Sequence, residues 1–352
     1  ATERLATLLA SSMQVVRVNL REWEDKVVDV KGRGNMMQKI GAYRKAARRL
    51  KLVVKANPGA IVIWTAPSPE LMGHFRDLLT ILPALKGAGK IYGVIHWGRF
   101  SRLFSNKRTA LTAKILLNRV DGLVFLNENR ADDCHPWVVA ETRLVVPNVL
   151  DEAVVCSAEE VGQKLARKRV RGKLKILFLS HMIQEKGYLD VLESVRLLQE
   201  KAIACEVIFV GQWMAEEDKL AFEQKVARYK LDAIVTHLGV VRDRNKIKDL
   251  QLEADVFVLP SYMVEGQPLT IIEAMSAGSP VVVSNVGGMI GMIEDGKEGF
   301  VVEPQNPKAI AEAVLQYQSY ETWQAHAEAA RKRYLQDYSA DQVLKKWLKL
   351  VS

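Results

Sequence analysis

Short apolar runs alternate with helical stretches along the 352-residue sequence, and this alternation runs twice. Strands that alternate with helices are typical of βαβ units, in which crossover helices cover a parallel sheet. A chain of this length has room for two domains of ordinary size. Strands are predicted at 13–20, 60–64, 90–95, 122–126 and 143–148 in the first series, and at 174–179, 206–211, 234–238, 254–260, 281–283 and 298–303 in the second. The sequence therefore predicts an α/β protein with two parallel-sheet domains.

Helical periodicity fills the intervals between these strands. Helices are predicted at 2–11, 37–56, from about 69, and at 109–119 in the first half, and at 188–200, 216–229, 245–253, 268–277, 307–317, 320–334 and 339–351 in the second. Residues 151–172 are rich in Glu, Lys and Arg and show little apolar periodicity, so they are predicted to connect the two domains. The predicted domains are 1–150 and 173–335, followed by a C-terminal helix within 336–352.

The charge of the chain is unevenly distributed. Lys and Arg exceed Asp and Glu by nine over the whole sequence, and residues 1–150 alone hold 24 basic against 12 acidic residues. A basic field of this kind attracts anionic lipid headgroups, a phosphorylated acceptor or nucleic acid. Nucleic-acid binding is disfavoured because the basic half lacks interleaved recognition motifs.

The basic residues of the first half gather in two segments, 31–55 and 99–108. Those considered as a patch are Lys31, Arg33, Arg44, Lys45, Arg48, Arg49, Lys51, Lys55, Arg99, Arg102, Lys107 and Arg108. One interpretation is a solvated helix face, which charged residues commonly form. The other is a patch that binds an anionic membrane surface or an anionic acceptor. The sequence leaves both interpretations open.

Cysteine usage favours a reducing compartment. Cys134, Cys156 and Cys205 are far apart and form neither a Cys-x-x-Cys pair nor a Cys/His cluster with zinc spacing, so we expect reduced thiols and a cytoplasmic protein. No apolar run approaches the roughly 18 residues that a membrane span needs. No signal peptide is visible at the start of the sequence. If the basic patch binds lipid, the expected location is peripheral, on the inner face of the membrane.

The stretch 261–278 joins two predicted strands through a loop and a short helix. Pro268 suits the first turn of this helix, where a missing N–H costs nothing, and Gly278 suits a left-handed residue at its end. The loop 261–267 therefore leads into a helix N-terminus, where free backbone N–H groups and the helix dipole favour an anion. We expect a phosphate to bind there.

Two carboxylates flank this expected phosphate site. Glu265 precedes the helix, and Glu273 follows Pro268 by five residues, roughly 7 Å along the helix axis. The neighbours of Glu273 make the helix apolar on nearly every side, so its carboxylate needs hydrogen-bond donors. A nucleoside ribose offers two such donors in its vicinal diol. The alternative is a carboxylate that caps the helix or forms a salt bridge inside the packed core.

The pair Glu265 and Glu273, with Gly266-Gln-Pro268 between them and Ala274-Met-Ser-Ala-Gly-Ser-Pro-Val-Val282 after, resembles a known family. These residues are similar to those of the retaining nucleotide-sugar glycosyltransferases of family 4, also called glycosyl transferases group 1. The resemblance implies the GT-B fold, in which two Rossmann-like α/β domains face a central cleft. It also implies an acceptor-side first domain, a donor-binding second domain and a C-terminal helix that crosses back to the first domain.

The segment 180–187 is similar to the family's Gly-Arg-x-x-x-Glu-Lys-Gly loop, in which Arg and Lys bind the donor's diphosphate. Lys186 and Gly187 stand just before a predicted helix, where a diphosphate meets a cation and free N–H groups. The sequence departs from the family at Ser180, in place of Gly, and at His181, in place of Arg. An imidazole is only partly charged at neutral pH and cannot make a guanidinium's bidentate contact.

His96 follows a predicted strand of the first half at its C-terminal end, the side where open α/β sheets bind ligands. The position matches the family's His-containing loop, so the resemblance places His96 near the transferred sugar. Val146-Pro-Asn-Val149 and Ser284-Asn-Val-Gly-Gly288 resemble two further stretches of the family. The family's opening strand and Gly-rich turn do not precede the helix at 2–11. Either the numbered chain omits a segment or this domain starts differently.

The resemblance implies a retaining glycosyltransferase that needs no metal and no cofactor and takes a nucleoside-diphosphate sugar as co-substrate. It implies that His96 and Glu265 make catalytic contacts with the sugar and that Glu273 binds the ribose. The remaining donor-binding residues are His181, Lys186, Gly266, Gln267, Pro268, Leu269 and Thr270.

The acceptor is expected to be a glycan or a lipid-linked polysaccharide precursor at the membrane surface. Two alternatives keep the fold: a sugar-nucleotide epimerase or hydrolase, and a non-catalytic member that binds nucleotide. Neither a Gly-x-Gly-x-x-Gly opening nor a P-loop is present in the sequence, which disfavours a Rossmann dehydrogenase and a P-loop NTPase.

Overall fold

The computed structural model describes residues 2–18, 36–65, 71–84, 86–96, 98, 100–132, 134, 137–166 and 172–352. The chain divides into two units: unit 1 comprises residues 1–147 and 344–352, and unit 2 comprises residues 148–343. Among the described residues, each unit contains one parallel sheet. The predicted α/β class with two parallel-sheet domains is therefore confirmed.

Unit 1 is built on a four-stranded parallel sheet. Its strands are β1 (Val62–Thr65), β2 (Ile91–Val94), β3 (Gly122–Phe125) and β4 (Arg143–Val145), and its helices are α1 (Thr2–Ala10), α2 (Met36–Ala56), α3 (Leu71–Ile81), α4 (Lys107–Leu117) and α5 (Glu128–Asp132). The strands pair in the order β1-β2-β3-β4. Every residue of β2 and β3 is buried, because helices cover the faces of a parallel sheet. Helix α3 packs against both α2 and α4.

The predicted strand at 13–20 is wrong for the residues that the structure describes. Residues 14–18 form no strand, and residues 19 and 20 lie outside the described part of the chain. Alternating apolar residues become a strand only when a neighbouring strand pairs with their backbone. Val18 instead packs its side chain on a small cluster that contains Leu50, Val54 and Trp64.

Unit 2 is built on a six-stranded parallel sheet. Its strands are β5 (Leu174–Leu179), β6 (Cys205–Val210), β7 (Val235–His237), β8 (Val256–Leu259), β9 (Val281–Ser284) and β10 (Gly299–Val302). They pair in the order β10-β9-β8-β5-β6-β7. Its helices are α6 (Ala158–Ala166), α7 (Tyr188–Glu200), α8 (Glu216–Tyr229), α9 (Arg244–Glu253), α10 (Leu269–Ser276), α11 (Pro307–Leu315) and α12 (Tyr320–Arg333).

The chain ends in α13 (Ala340–Val351). The residues of this helix from Leu344 onward belong to unit 1. The Tyr92 hydroxyl, on β2, donates a hydrogen bond to the Leu350 carbonyl at 2.6 Å. This bond fastens the end of the chain to the sheet of unit 1.

Residues 151–172, predicted to be a connector, contain the helix α6. The helix packs Val161 against Cys156 and Ala277. Lys164 is only 3% exposed and donates hydrogen bonds to the Gln251 carbonyl and the Ser279 hydroxyl. The apolar pattern of α6 is short, and hydrogen bonds from a lysine contribute to the attachment of the helix to unit 2. Apolar periodicity alone therefore did not predict this helix.

All three cysteines are buried and form no disulfide. Burial raises the pKa of Cys156 and that of Cys205 to about 11, so these two thiols stay protonated at neutral pH. Across the described ranges, no helix combines the length and the apolar character that a membrane crossing requires.

Candidate active site

The sheet of unit 2 reverses its direction of strand addition between β5 and β8, which lie side by side. Helix α7 follows β5 and packs with α8 and α11, whereas α10 follows β8 and packs with α9 and α12. Right-handed crossovers that run in opposite directions place these two groups of helices on opposite faces. The carboxyl ends of β5 and β8 therefore form the switch point of the sheet, where open α/β sheets bind ligands.

The loop after β5 ends in a tight turn that positions Lys186. Gln184–Lys186 form a 3-10 turn, and Gly187, the residue before α7, has a φ of +80°. A Cβ at Gly187 would lie 2.5 Å from the Pro260 carbonyl oxygen, so only glycine lets this turn approach the end of β8. In the described part of the chain, no side chain caps α7. Its first-turn N–H groups therefore suit an anion.

The loops after β5 and β8 are joined through the Glu185 carbonyl. It accepts hydrogen bonds from the Tyr262 amide at 2.9 Å, the Met263 amide at 3.3 Å and the Ser261 hydroxyl at 3.1 Å. Ser261 is fully buried, and its own carbonyl accepts a hydrogen bond from the Ser284 hydroxyl at the end of β9. Ser261 was not predicted as a site residue, because a serine after a strand carries no distinctive signal.

The joined loops bring Lys186 and Glu265 together. Lys186 Nζ forms an ion pair with Glu265 Oε1, and Ser261 Oγ lies 3.1 Å from the same carboxylate oxygen. The lysine and glutamate side chains are only 12% and 13% exposed, so solvent screens their attraction less than that of a surface pair. Two residues predicted from separate motifs, 79 positions apart, thus lie in contact.

Helix α10 begins just beyond this ion pair. Pro268 precedes the helix, with φ −62° and ψ 120°, and Leu269 is its first residue. The predicted place of Pro268 inside the first turn is therefore wrong by one position. Gly278 has the predicted left-handed conformation, with a φ of +61°. No described side chain caps the start of α10, so the amides of Leu269 and Thr270 lie uncapped at the positive end of the helix dipole.

The glycines that follow β9 pack against the loop that contains Glu265. The Gly288 amide donates to the Glu265 carbonyl at 2.8 Å, and Gly287 has a φ of +59°. A Cβ at Gly288 would stand 1.4 Å from the Gly266 carbonyl oxygen. Glycine permits this backbone approach, which accounts physically for a Gly-Gly pair that the sequence identifies only by resemblance.

The side chain of Gln267 holds the beginning of unit 2 against the loop. Gln267 Oε1 accepts the Asn148 amide at 2.8 Å, and the Gln267 carbonyl accepts Asn148 Nδ2 at 3.2 Å. Both residues are buried. The structure therefore gives Gln267 a structural partner, which its predicted role in donor binding did not include.

Glu273 lies on α10 and is 4% exposed, and all residues from Ile271 to Ser276 are buried. Glu273 is therefore buried, as predicted, and a buried carboxylate requires polar partners. Its contact with a ribose stays a prediction. His181 is exposed directly beyond β5, and its contact with the donor stays a prediction as well.

His96 belongs to unit 1, in the loop that follows β2. The side chain is half-buried, and burial lowers its pKa to about 4. The loop is held by Arg130, whose guanidinium donates to the Gly98 carbonyl. No local pattern in the sequence points to Arg130, because its partner lies 32 positions away.

The basic segments of unit 1 lie on exposed helix faces. Lys31, Arg33 and Arg99 of the predicted patch lie outside the described residues. Helix α2 has seven basic residues and no acidic one, and those exposed are Arg44, Lys45, Arg48, Arg49, Lys51 and Lys55. Helix α4 also has no acidic residue, and it exposes Leu111 and Ile115, 65% and 42%, among Lys107, Arg108 and Lys114.

Comparison with known families identifies the class of unit 2. Residues 163–333 match the family described as Glycosyl transferases group 1. The range covers the loops after β5 and β8 together with the Lys186–Glu265 ion pair. Residues 163–333 of unit 2 are therefore similar to glycosyl transferases group 1, the group that the sequence resemblance implies.

Curated relatives extend the similarity to individual proteins. A poly(ribitol-phosphate) alpha-N-acetylglucosaminyltransferase of Staphylococcus aureus (strain COL) is 26% identical over 308 residues, which cover 86% of this chain and 57% of that protein. The amylovoran biosynthesis glycosyltransferase AmsK of Erwinia amylovora is 28% identical over 162 residues, 45% of this chain and 39% of that protein. The chain thus spans about two fifths to three fifths of the length of these relatives.

A solved structure has a similar fold. The crystal structure of Anabaena Alr3699/HepE in complex with UDP has a TM-score of 0.71 and 16% identity, over 87% of this chain and 81% of that chain. At this level of identity the likeness shows the fold alone, and that fold is GT-B. The fold class that the sequence resemblance implies is confirmed.

Gly288→Ala is expected to disturb the loop that holds Glu265, because the added methyl meets the Gly266 carbonyl. We expect a loss of roughly 1 to 3 kcal/mol in the free energy of unfolding, measured by urea titration. Gly162→Ala is the control: it lies in α6 with open space around its Cβ position and is expected to add about 0.5 to 1 kcal/mol. A Gly288→Ala protein as stable as the native one would contradict the close approach.

His96 is expected to make stability depend on pH. Its pKa is about 4 in the folded protein and about 6.5 in an unfolded chain, so between these values only the unfolded state binds the proton. The free energy of unfolding therefore falls as the pH falls from 6.5 to 4. Relative to His96→Gln, the native protein should lose about 2 kcal/mol across this window in urea titrations. Parallel pH profiles for the two proteins would contradict the shift.

Proposed function

We propose that this protein is a retaining glycosyltransferase of family 4 that moves a sugar from a nucleoside-diphosphate sugar to an acceptor hydroxyl. The observation that carries the proposal is the meeting of Lys186 and Glu265 at the strand reversal of unit 2, beside two helix starts without side-chain caps. A cation and open backbone N–H groups suit a diphosphate, and a carboxylate suits sugar hydroxyls. The match of this unit to glycosyl transferases group 1 supports the same chemistry.

The proposed reaction breaks the bond between the anomeric carbon and the leaving diphosphate oxygen. The acceptor oxygen forms its new bond to that carbon from the face that the diphosphate leaves, and a phosphate oxygen takes the acceptor proton. Lys186 and the first-turn amides of α10 stabilise the charge that grows on the leaving group. This electrostatic role is complete without a metal ion or a cofactor, so we propose a metal-independent enzyme with the nucleotide sugar as co-substrate.

The other predicted residues take supporting roles in this proposal. Glu265 binds hydroxyls of the transferred sugar, and Glu273 binds the ribose. His96, on unit 1, contacts the sugar as a neutral imidazole, because burial lowers its pKa to about 4. His181 and the loop from Gly266 to Thr270 surround the diphosphate.

The relatives indicate which acceptors and donors to test first. The Staphylococcus aureus relative is named for transfer of N-acetylglucosamine to poly(ribitol phosphate), and the Erwinia amylovora relative is named for amylovoran biosynthesis. We therefore propose a glycan or a lipid-linked polysaccharide precursor as the acceptor. The Anabaena structure contains UDP, which makes UDP-sugars the first donors to test.

The native protein is expected to gain thermal stability with the nucleoside diphosphate of its donor in a screen of UDP, GDP and ADP, since ligand at 100 times its Kd adds about 2.7 kcal/mol.

Lys186→Ala and Glu265→Ala are expected to lower the transfer rate on the order of 100-fold or more. Lys297→Ala, an exposed lysine of the same unit, should leave the rate unchanged.

Product analysis without an acceptor separates the alternatives. Sugar released or epimerised at the transfer rate would support the hydrolase or epimerase. Nucleotide binding without any sugar product from the native protein would support the non-catalytic member.

We propose further that unit 1 attaches to an anionic membrane surface through α2 and α4. Their exposed faces carry cations without an acidic residue, and α4 adds Leu111 and Ile115 among its cations. Exposed aliphatic side chains beside cations favour a lipid interface over a purely charged partner. A lipid-linked acceptor would place the enzyme at the same surface, in a peripheral cytoplasmic location.

The protein is expected to sediment with vesicles that contain phosphatidylglycerol and to remain in solution with neutral phosphatidylcholine vesicles. Arg48→Glu with Arg49→Glu should weaken binding about 30-fold, because each cation near the surface contributes about 1 kcal/mol. The matched control is Lys201→Glu with Arg228→Glu, two exposed cations of unit 2, which should leave binding unchanged. Equal losses for both double variants would argue for an unspecific charge effect and against the proposed face.

A further inference from the structure

The ion pair between Lys186 and Glu265 occupies the two groups that the proposed reaction uses. Lys186 Nζ and the Ser261 hydroxyl approach the same oxygen of Glu265. The lysine and the carboxylate are both nearly enclosed, and Ser261 is fully buried. In this arrangement the cation expected to bind phosphate and the carboxylate expected to bind sugar neutralise each other.

A diphosphate at this position changes the balance of charges. Lys186 lies directly before Gly187 and α7, and Glu265 lies just before α10, so an anion at the two uncapped helix starts meets both side chains. It attracts Lys186 and repels the Glu265 carboxylate. A lysine has a flexible stem and three donors, so it can exchange one anionic partner for another.

We propose that the Lys186–Glu265 ion pair is a latch that the incoming diphosphate opens, with Ser261 as its positioning residue. The diphosphate takes Lys186, and Glu265 becomes free to accept hydrogen bonds from the sugar only after this exchange. This inference rests on the proposed function. It adds that the carboxylate competes with the donor for Lys186 before it assists the donor.

Ser261 is placed to keep the carboxylate in position when Lys186 leaves. Its hydroxyl has one proton and two acceptors at 3.1 Å, the Glu185 carbonyl and Glu265 Oε1. The Met263 amide donates to the same hydroxyl oxygen at 3.2 Å, and the Ser284 hydroxyl holds the Ser261 carbonyl. Once Lys186 has moved, the Ser261 proton is available to Glu265 Oε1. Ser261 therefore acts through Glu265 and has no contact with the donor in this proposal.

The latch predicts that removal of a site carboxylate tightens binding. The experiment is titration calorimetry of the native chain and its variants with inorganic pyrophosphate and with UDP. Glu265→Gln should bind pyrophosphate on the order of 5- to 10-fold more tightly than the native protein, because no ion pair has to be broken. Glu265→Ala, which removes the same charge, should change affinity in the same direction. Lys186→Met should weaken binding at least about tenfold.

Glu185→Gln is the matched control. Glu185 is next to Lys186 and exposed, and its backbone carbonyl accepts the hydrogen bonds that join the neighbouring loop. The change removes one negative charge from the same loop without removing the partner of Lys186. Its pyrophosphate affinity should stay within about twofold of the native value, because exposed charges are strongly screened. A tightening equal to that of Glu265→Gln would show a general charge effect and overturn the latch.

Ser261→Ala separates positioning from binding. We expect its UDP affinity to remain within about twofold of the native value while kcat for sugar transfer falls about tenfold, because Glu265 loses its fixed donor. If Ser261→Ala weakens pyrophosphate binding as much as Lys186→Met does, the proposed positioning role of Ser261 is wrong.

The outcomes distinguish the latch from the proposed function. Native binding of UDP together with equal or weaker binding by Glu265→Gln and Glu265→Ala would overturn the latch and leave the glycosyltransferase proposal intact. Failure of the native protein to bind UDP, GDP, ADP or pyrophosphate would overturn both.

Discussion

The hydrogen bonds that tie the loop after β5 to the loop after β8 make the candidate active site possible. The two strands are neighbours, but the helices that follow them leave toward opposite faces of the sheet, so the loops would otherwise diverge. The Glu185 carbonyl supplies the tie by accepting the Tyr262 and Met263 amides and the Ser261 hydroxyl. Lys186 and Glu265 lie close to the tie on either side, which holds them in contact.

Close contacts between backbone segments, more than side-chain packing, determine the shape of the loops around the Lys186–Glu265 ion pair. Gly187 faces the Pro260 carbonyl, and Gly288 faces the Gly266 carbonyl, at distances that a Cβ would not permit. The loops can therefore pack closely while the starts of α7 and α10 remain free of side-chain caps. Glycines that take part in the family resemblance are thus the residues that let these loops approach one another closely.

Most helices and strands were predicted from the local sequence pattern, and each wrong prediction has a physical cause. Helices α7 and α8 begin and end at their predicted residues, because buried and exposed positions alternate with helical period over three or more turns. Residues 14–18 have strand-like alternation, but within the described part of the chain no strand pairs with them, so they form no strand. Helix α6 was missed because it is short and because a buried lysine, Lys164, supplies part of its anchoring. A charged residue in a connector ordinarily indicates a side chain exposed to solvent.

Residues adjacent in the chain were enough to predict the α/β class, most strand positions and the candidate residues Lys186, Glu265 and Glu273, because periodicity and motif spacing are local properties. Only the tertiary structure decided that Lys186 pairs with Glu265, that Ser261 contacts the same carboxylate and that Gln267 binds Asn148. Those contacts depend on the sheet order β10-β9-β8-β5-β6-β7. That order brings together loops separated by about 80 residues, and no local pattern encodes it.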